Sequence, residues 1–532
     1  MKIIQKIPLT FYVLYFLLGS CKKGAEREFL QKDEKPNIIY VLADDLGIGD
    51  VRVFNENGKI KTPNIDQLAQ QGMIFTDAHT SSSVCTPTRY GIITGRYNWR
   101  SPLKRGVLYG GSEALIPKSR ETVASLLKNN NYYTAFIGKW HLGWSWPIQD
   151  DLDVEINKDF GEFQNIDFTK AISNGPNDLG FDYSYGIAAS LDMPPYVYVE
   201  NGLPTTVPDT VSENKDKMAW WRKGPIGSDF VHEEVTPNVF NKTFKFIRER
   251  AQKSKPFFIY LALPSPHTPI LPTKDFQGKS GLNPYADFVM EIDAYMGQLE
   301  ATIKKAGIEK NTIIVFTSDN GCSPRANFTA LEELGHDPSA IYRGTKSDIF
   351  EGGHRVPFIV KWPAKIKPGS VCDVTVCTTD FFATCADILG DKIVDNEAED
   401  SFSMLPLWIN QYDSFKREAT IHSSITGSFS IREGDYKLIM DPGSGGWSPP
   451  NPKTTDLKSL PEIQLYNVKL DPSETTNIYL EHPKVVSKLK LLLEKQILNG
   501  RSTPGQPQEN DSVSNWKQID WIYKSKIKKS KI

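Results

Sequence analysis

The sequence predicts an α/β fold in which helices sandwich a mainly parallel central sheet. Four apolar runs carry no polar alternation, which is typical of strands buried on both faces of a parallel sheet. Stretches with helical spacing separate these runs, as in α/β layouts. After about residue 405 the pattern changes to short runs that predict an antiparallel hairpin and an amphipathic helix over 485–498. We therefore expect a smaller C-terminal α+β subdomain.

Each predicted strand of the central sheet is followed by polar, reactive side chains. The four runs cover residues 38–43, 133–137, 257–262 and 312–317. The segments that follow them are, in the same order, Asp44-Asp45, Gly138-Lys139-Trp140-His141, Pro266-His267-Thr268-Pro269 and Ser318-Asp319-Asn320-Gly321. In such sheets ligands bind outside the carboxyl ends of the strands, so the four segments predict one shared site.

Helices are predicted between these strands. Residues 122–128 have helical apolar spacing and precede the second strand. Asn283 and Pro284 form a favourable N-cap and first turn for a helix that Gly307 ends. Another helix is predicted to begin near Cys85, which would place Arg89 on the same face, four positions on.

The acidic strand ends indicate a metal site. Three clustered carboxylates cannot all stay ionised without a cation among them. Oxygen ligands alone suit a hard ion, Ca²⁺ or Mg²⁺, rather than zinc. Lysine and histidine side chains around such an ion favour an anionic substrate, a phosphate or a sulfate ester. The oxygen ligands are Asp44, Asp45, Asp319 and Asn320, and the surrounding groups are Lys139, His141 and His267.

The composition excludes several classes of protein. Hydrophobic residues make up 39% and charged residues 24% of the 532 residues, which argues against a disordered chain and a polytopic membrane protein. The formal net charge is -2, and nothing in this charge balance suggests nucleic acid, whose binding would call for a clustered basic surface.

The N-terminus predicts export. Lys2 and Lys6 precede an apolar stretch over 7–18 that is too short to span a bilayer and is typical of a signal peptide. The stretch ends in Leu18-Gly19-Ser20-Cys21, which resembles the lipobox of bacterial lipoproteins, so we expect Cys21 to be lipidated. A plain signal peptide is the alternative. The predicted location is the bacterial periplasm or the outer membrane. The lipid anchor would be the chain's only contact with the membrane.

The chain divides into five predicted segments. They are a lipoprotein signal peptide (1–21), a tether (22–35), a catalytic domain (36–405), a C-terminal subdomain with an antiparallel sheet and a helix (406–500), and a linker with a basic tail (501–532). Four further cysteines allow three disulfide pairings, and buried free thiols fit equally well. They are Cys322, Cys372, Cys377 and Cys385.

Several motifs in order resemble one family. Cys85-Thr86-Pro87-Thr88-Arg89 matches the C-x-P-x-R signature of the type I, formylglycine-dependent sulfatases, which belong to the alkaline phosphatase-like superfamily. Gly138-Lys139-Trp140-His141 resembles the second signature of that family, and Asp44-Asp45 and Asp319-Asn320-Gly321 match its metal motifs. The resemblance runs from about residue 36 to about residue 480.

The resemblance implies a cofactor and a metal. A maturation enzyme would oxidise Cys85 to formylglycine, an aldehyde whose hydrate supplies the nucleophilic oxygen. That oxygen would attack sulfur and the alcohol would leave, after which the second hydroxyl would collapse to the aldehyde and expel sulfate. The metal would be Ca²⁺ rather than Mg²⁺, held by Asp44, Asp45, Asp319 and Asn320, with residue 85 facing it.

The resemblance also implies roles for five other residues. Arg89 and Lys139 would stabilise the hydrate and the sulfate charge. His141 would act as a base in the collapse of the intermediate, and His267 would protonate or orient the leaving oxygen. Lys346 matches the last sulfate-binding lysine of the family.

The expected substrate is a sulfated polysaccharide or oligosaccharide, such as ulvan, carrageenan or a glycosaminoglycan. Trp220 and Trp221 are candidates for stacking on a sugar or for burial at a domain seam. Two alternatives stay open. One is a phosphoryl-transfer hydrolase of the same superfamily, and the other is a glycan-binding lipoprotein with a dead site. Candidate substrate contacts in loops are Asp192, His336, Arg343 and His354.

Overall fold

The computed structural model describes residues 35–149, 158–511 and 515–523. The predicted signal peptide, the lipidated Cys21 and nearly all of the tether lie outside the described residues. The described residues from Pro36 onward form one compact unit, and the following description concerns that unit alone. In these ranges no helix has both the length and the apolar character needed to cross a bilayer.

The described residues include eighteen strands and ten α-helices, and residues 520–523 are also helical. The strands are β1 (Asn37–Ala43), β2 (Met73–Phe75), β3 (Ala78–His79), β4 (Tyr133–Lys139), β5 (Tyr183–Ile187), β6 (Val199–Glu200), β7 (Leu203–Pro204), β8 (Thr210–Asn214), β9 (Trp221–Ile226), β10 (Phe257–Ala262), β11 (Thr312–Ser318), β12 (Phe358–Lys361), β13 (Ser370–Cys372), β14 (Val376–Cys377), β15 (Thr420–Ser423), β16 (Phe429–Glu433), β17 (Tyr436–Ile439) and β18 (Gln464–Asn467). The helices are α1 (Pro63–Gln71), α2 (Cys85–Thr94), α3 (Val123–Asn129), α4 (Val235–Arg250), α5 (Pro284–Lys305), α6 (Phe328–Glu333), α7 (Glu351–His354), α8 (Phe381–Leu389), α9 (Leu405–Trp408) and α10 (Pro483–Leu498).

The central sheet has ten strands in the order β13-β2-β12-β11-β1-β10-β4-β5-β6-β7. The four predicted strands are direct neighbours in its middle, as β11-β1-β10-β4, and all three pairs are parallel. β12 is antiparallel to β11, and β6 is antiparallel to β5, so the sheet is mixed towards its edges. This arrangement confirms the predicted fold class.

Both faces of the central sheet are buried. Along β1, Tyr40 and Leu42 join one apolar cluster with side chains of α3 and α8. The alternate residues Ile39 and Val41 join a second cluster with side chains of α1, α4 and α5. Each such fully buried side chain contributes roughly 1.5–3 kcal/mol relative to leaving it in water. The unbroken apolar runs therefore reflect strands with a helical layer on each side.

The predicted helix boundaries agree closely with the structure. The side chain of Asn283 accepts a hydrogen bond from the Ala286 amide and so caps α5, which begins at Pro284. The helix ends at Lys305, two residues before Gly307, whose φ is +74°. α2 begins at Cys85, as the sequence predicted.

The C-terminal sheet supports the start of α2. It is a four-stranded antiparallel sheet in the order β15-β16-β17-β18, and its β16–β17 hairpin is the one predicted from the sequence. The Ser423 amide in β15 donates to the Ser81 carbonyl at 3.1 Å, and the Ser83 amide donates to the Ser423 carbonyl at 3.0 Å. The segment that leads into Cys85 is therefore held by the C-terminal sheet.

A buried group of ionisable side chains, here called the seam network, joins this sheet to the main body. The Lys437 ammonium, which is fully buried, lies 3.0 Å from Glu351 and 2.9 Å from Glu474. It also donates to His354 at 3.1 Å. Such a network is stable only when all its members keep their partners. Its members are Asp77, His79, Glu351, His354, Arg355, His422, Arg432, Lys437 and Glu474.

We expect Lys437→Met to destabilise the fold strongly. The change removes the shared cation and leaves Glu351 and Glu474 buried without it, which costs about 3–5 kcal/mol. Equilibrium denaturation with urea would measure the loss. The matched control is Lys488→Met, whose ion pair with Glu433 is solvent-exposed and should be worth under about 1 kcal/mol. Equal losses in the two variants would contradict a structural role for the seam network.

The described cysteines other than Cys85 are buried free thiols, so the thiol alternative holds over disulfide pairing. Residues 501–511, which fall in the predicted linker, make hydrogen bonds to the body. Arg501 pairs with Asp395, and the Asp511 amide donates to the Arg100 carbonyl at 2.7 Å.

Candidate active site

The carboxyl ends of the four central strands bring the predicted polar residues together. Asp44 and Asp45 follow β1, and Asp319 and Asn320 follow β11, its neighbour on one side. Lys139 ends β4, and His267 follows β10. Because these strands are parallel and adjacent, their ends meet at one edge of the sheet.

Three cations lie among the carboxylates. Arg89 donates to Asp319 Oδ2 at 2.8 and 3.0 Å and lies 3.2 Å from Asp44. Lys139 makes a short ion pair with Asp44, and Lys346 lies 2.6 Å from Asp45 Oδ1. All of these side chains are nearly inaccessible to solvent, so each charge depends on its partners rather than on water.

Three oxygen atoms in this cluster are buried and accept no hydrogen bond. They are Asp44 Oδ1, Asp45 Oδ2 and Asn320 Oδ1. Buried polar atoms in proteins nearly always have a partner, so three such acceptors in one cluster are suited to bind a cation. Asn320 donates its amide hydrogen to Asp45 at 2.7 Å, which leaves its oxygen free for a metal. The residues therefore fit a hard divalent ion.

The carboxyl pKa values support the same conclusion. Burial, reinforced by the charge of Asp44, raises the pKa of Asp319 to about 6. Burial also raises the pKa of Asp45, although Lys346 opposes the shift. Burial acts on Asp44 in the same sense, but Lys139 and other cations hold its pKa well below the usual range. A divalent ion would favour the ionised form of all three groups.

Cys85 is the first residue of α2 and is 2% exposed. Burial raises the pKa of its thiol, although Lys139 and Lys346 oppose the shift. At neutral pH the thiol is therefore protonated and a poor nucleophile. Arg89, one turn further along α2, places its guanidinium between the cluster and the Lys139 carbonyl, which accepts a hydrogen bond at 2.8 Å.

His141 has one free ring nitrogen. Its Nε2 donates to the Leu108 carbonyl at 2.8 Å, which fixes the proton on that nitrogen. Its Nδ1 is buried and has no hydrogen-bond partner. Burial, with Lys139 and Arg89, holds the pKa of His141 well below its ordinary value, so the ring is neutral. This Nδ1 can accept a proton from a group bound beside Lys139.

His267 faces the acidic cluster through Nε2, because its Nδ1 bonds to the Thr268 carbonyl. The Nε2 atom lies 3.6 Å from Asp45 Oδ2. Burial and the Lys346 charge lower the pKa of His267 to about 3, so the ring is neutral at pH 7. Asp192 lies beside it, with 3.9 Å between Asp192 Oδ1 and His267 Nδ1.

The loop that carries Lys346 contacts residues 319–322, which follow β11 and are called the metal loop here. The Gly321 amide donates to the Gly353 carbonyl at 3.0 Å. A Cβ at Gly321 would lie 1.8 Å from the Gly352 carbonyl oxygen, so only glycine allows this approach. The Lys346 amide donates to the Cys322 carbonyl at 2.9 Å, which ties Lys346 to the same loop.

Three predicted substrate contacts lie away from the cluster. His336 is 1% exposed and bonds to Asp50 at 2.9 Å. His354 is fully buried in the seam network. Arg343 donates to the Glu474 carbonyl at 2.8 Å and stacks on Phe350. The structure therefore holds these three side chains against other protein groups rather than beside the acidic cluster. Of the four predicted contacts, Asp192 alone is beside the site.

The sequence analysis missed two contributors. The Leu108 carbonyl orients His141, but a backbone acceptor leaves no mark in the side-chain pattern. Arg222 makes an ion pair with Asp192, thirty residues away, and nothing local in the sequence indicates this pairing.

Comparison with known proteins agrees with this geometry. The family model described as Sulfatase matches residues 36–391. An N-acetylgalactosamine-6-O-sulfatase of Bacteroides thetaiotaomicron is 33% identical over 90% of this chain and 96% of its own length. Human arylsulfatase A is 28% identical, with 83% of each chain covered.

A solved structure has the same fold as this chain. It comes from work on glycosaminoglycan metabolism by Bacteroides thetaiotaomicron and superposes with a TM-score of 0.75 at 32% identity. The superposition covers 87% of this chain and 99% of that one. On the family match, the relatives and the fold together, this chain belongs to the sulfatase family and is a sulfuric ester hydrolase.

Proposed function

We propose that this protein removes sulfate from a sulfated polysaccharide or oligosaccharide, using a formylglycine made from Cys85. The observation that carries the proposal is the set of three unpartnered buried oxygens beside three buried cations and the first residue of α2. This set fits a divalent metal together with one anionic group. A sulfated carbohydrate is supported by the bacterial relative named as an N-acetylgalactosamine-6-O-sulfatase.

Four oxygen-bearing residues would hold the metal, which we propose is Ca²⁺. They are Asp44, Asp45, Asp319 and Asn320, with residue 85 facing the ion. A hard cation with oxygen ligands matches Ca²⁺ in particular, since Mg²⁺ demands stricter octahedral geometry. When bound, the ion would polarise a sulfate oxygen and favour ionised ligands. An unmodified thiol at position 85 would be a poor ligand for it.

The buried cations and histidines would carry the remaining chemistry. Formylglycine would supply a hydrated aldehyde, in which one hydroxyl oxygen would attack sulfur and the second would allow sulfate to be expelled. Arg89, Lys139 and Lys346 would bind the sulfate oxygens. His141 would take a proton through its free Nδ1, and His267 Nε2 would face the leaving oxygen.

We further propose that the chain is an exported lipoprotein anchored through Cys21, in the periplasm or at the outer membrane. The proposal rests on the charged, apolar and Cys-terminated order of residues 1–21. We also propose domain boundaries at about residues 36, 405 and 500, where the sequence pattern changes. Fractionation of cells that express the full chain would test the location, with Cys21→Ser as the variant that should lose its membrane association.

The test of the activity is sulfate release from a panel of sulfated oligosaccharides. The enzyme would be produced with and without a formylglycine-generating enzyme and assayed with Ca²⁺, with Mg²⁺ and after chelation. Release that requires both co-expression and a divalent ion supports the proposal. A matched panel of phosphate esters addresses the superfamily alternative. The proposed sulfatase activity would be overturned if the enzyme cleaved phosphate esters alone, or if enzyme that carries the aldehyde cleaved nothing.

A further inference from the structure

A rim of basic and aromatic side chains lies beside His267. Three loops meet there. The Ile270 amide, just after His267, donates to the Met218 carbonyl at 2.8 Å, which places residues 218–222 against the His267 loop. Arg325 lies in the turn Pro324–Ala326, which follows the metal loop. These loops border the side of the site on which the leaving group would lie.

Trp220 joins two guanidinium groups in this rim. The Cζ atom of Arg222 lies 4.8 Å from the centre of the Trp220 ring, and that of Arg325 lies 5.5 Å from it. Arg222 also lies 5.9 Å from the centre of the Tyr109 ring. An arginine held on an aromatic face keeps its edge hydrogens available for an acid group.

The charges in the rim are not balanced. Arg222 pairs with Asp192 through Nη1, and the Arg222 side chain is still 38% exposed. Arg325 is exposed, and its side chain has no carboxylate partner within the described ranges. Among the described residues, Asp192 is the one carboxylate that pairs with either guanidinium group of the rim, beside a site proposed to bind sulfate. Exposed arginines with no partner are suited to bind a carboxylate or sulfate in bidentate fashion.

We propose that Arg222, Trp220 and Arg325 bind a second acidic group of the substrate, carried by the sulfated sugar or by its neighbour. The inference rests on the proposed function and narrows it to glycans with two acidic groups close together. A cavity of about 310 Å³ extends from Arg222 past Tyr109, Phe163 and Met193. Its lining carries charges of both signs and offers room for the neighbouring sugar; the other charged lining residues are Lys158, Lys223, Asp159 and Glu162. The second acid is recognised as a planar or tetrahedral oxyanion.

The experiment compares four substrates with the same scissile sulfate. Two of them carry no acid besides the scissile sulfate and are called neutral here: a sulfated monosaccharide, and the methyl ester of a sulfated disaccharide with a neighbouring uronic acid. The other two, the diacids, are that disaccharide with its free carboxylate and a sugar with a second sulfate. We expect at least one diacid to exceed the neutral substrates by about tenfold in kcat/KM, as for a charged hydrogen bond of ordinary strength. The carboxylate and sulfate arms tell the two sources of the second acid apart.

The variants are Arg325→Gln and Arg222→Lys, with Arg248→Gln as the control on the exposed face of α4. Arg222→Lys keeps a cation for Asp192 but removes the fork of hydrogen-bond donors. Each rim variant should lower the diacid preference by about tenfold through KM. For Arg325→Gln, kcat on the neutral substrate should stay within about twofold of the wild-type value.

Two results would overturn the inference. One is a wild-type enzyme that cleaves the four substrates equally well. The other is a diacid preference that both rim variants retain in full. In either case, cleavage of the neutral substrate would leave the proposed sulfatase function standing. Loss of all cleavage by the mature enzyme would instead reject the proposed function, and the inference with it.

Discussion

Cys85→Ala should abolish sulfate release, with a loss of at least about 10³-fold in kcat, because the covalent nucleophile is removed. Cys85 lies at the start of α2, where Arg89, Lys139 and Lys346 surround it. Its buried, protonated thiol cannot replace the aldehyde hydrate. The measurement is sulfate release by ion chromatography, from enzyme produced with the maturation enzyme.

Cys377→Ala is the matched control for this variant. Cys377 is also a fully buried free thiol, but it lies in β14 and belongs to the apolar cluster of the C-terminal sheet. It should retain activity once correctly folded. Peptide mass spectrometry of the wild type should show replacement of the Cys85 CH₂SH group by CHO. Full activity in enzyme whose Cys85 is entirely unmodified would rule out the aldehyde.

Asp45→Asn should lower both metal content and activity, the activity by at least about 100-fold. Asp45 carries one of the unpartnered oxygens and contacts Lys346, Asn320 and His267. An amide of the same shape keeps the packing but removes a charge that a divalent ion needs. The bound metal would be measured by plasma mass spectrometry after gel filtration, and its affinity by calorimetry.

Asp216→Asn serves as the control, since Asp216 is exposed and lies outside the cluster. It should bind metal like the wild type. A stable Asp45→Asn protein with full metal content would show that the ion is held elsewhere. Circular dichroism of both variants would separate this outcome from a folding defect.

The parts of the site that follow buried strands were predictable from the sequence. An unbroken apolar run defines a strand buried on both faces, and its last residue fixes where the next side chains must lie. Asp44 after β1 and Asp319 after β11 are set in this way, because β1 and β11 are neighbours. The position of α5 was equally local, since Asn283 and Pro284 decide its first turn.

Two predicted substrate contacts, His354 and His336, lie away from the acidic cluster because each bonds to a residue that is distant in sequence. His354 was predicted to contact substrate, yet it bonds to Lys437, 83 positions later, and lies inside the seam network. His336 is held by Asp50, 286 positions earlier. A histidine in a loop looks the same in the sequence whether its partner is a substrate or a buried carboxylate. Only the packing of loops over the sheet decides between the two.

The burial of Cys85 limits the stage of synthesis and folding at which another protein could reach its side chain. Its neighbour Ser82 donates a hydrogen bond to Ser423, which is synthesised 341 residues later. Until that part of the chain arrives, the segment before α2 lacks its final cover. If Cys85 is converted as proposed, the modifying enzyme would have an interval that opens when the segment emerges and closes when β15 docks. A finished chain that has missed this interval would need to unfold before it could be matured.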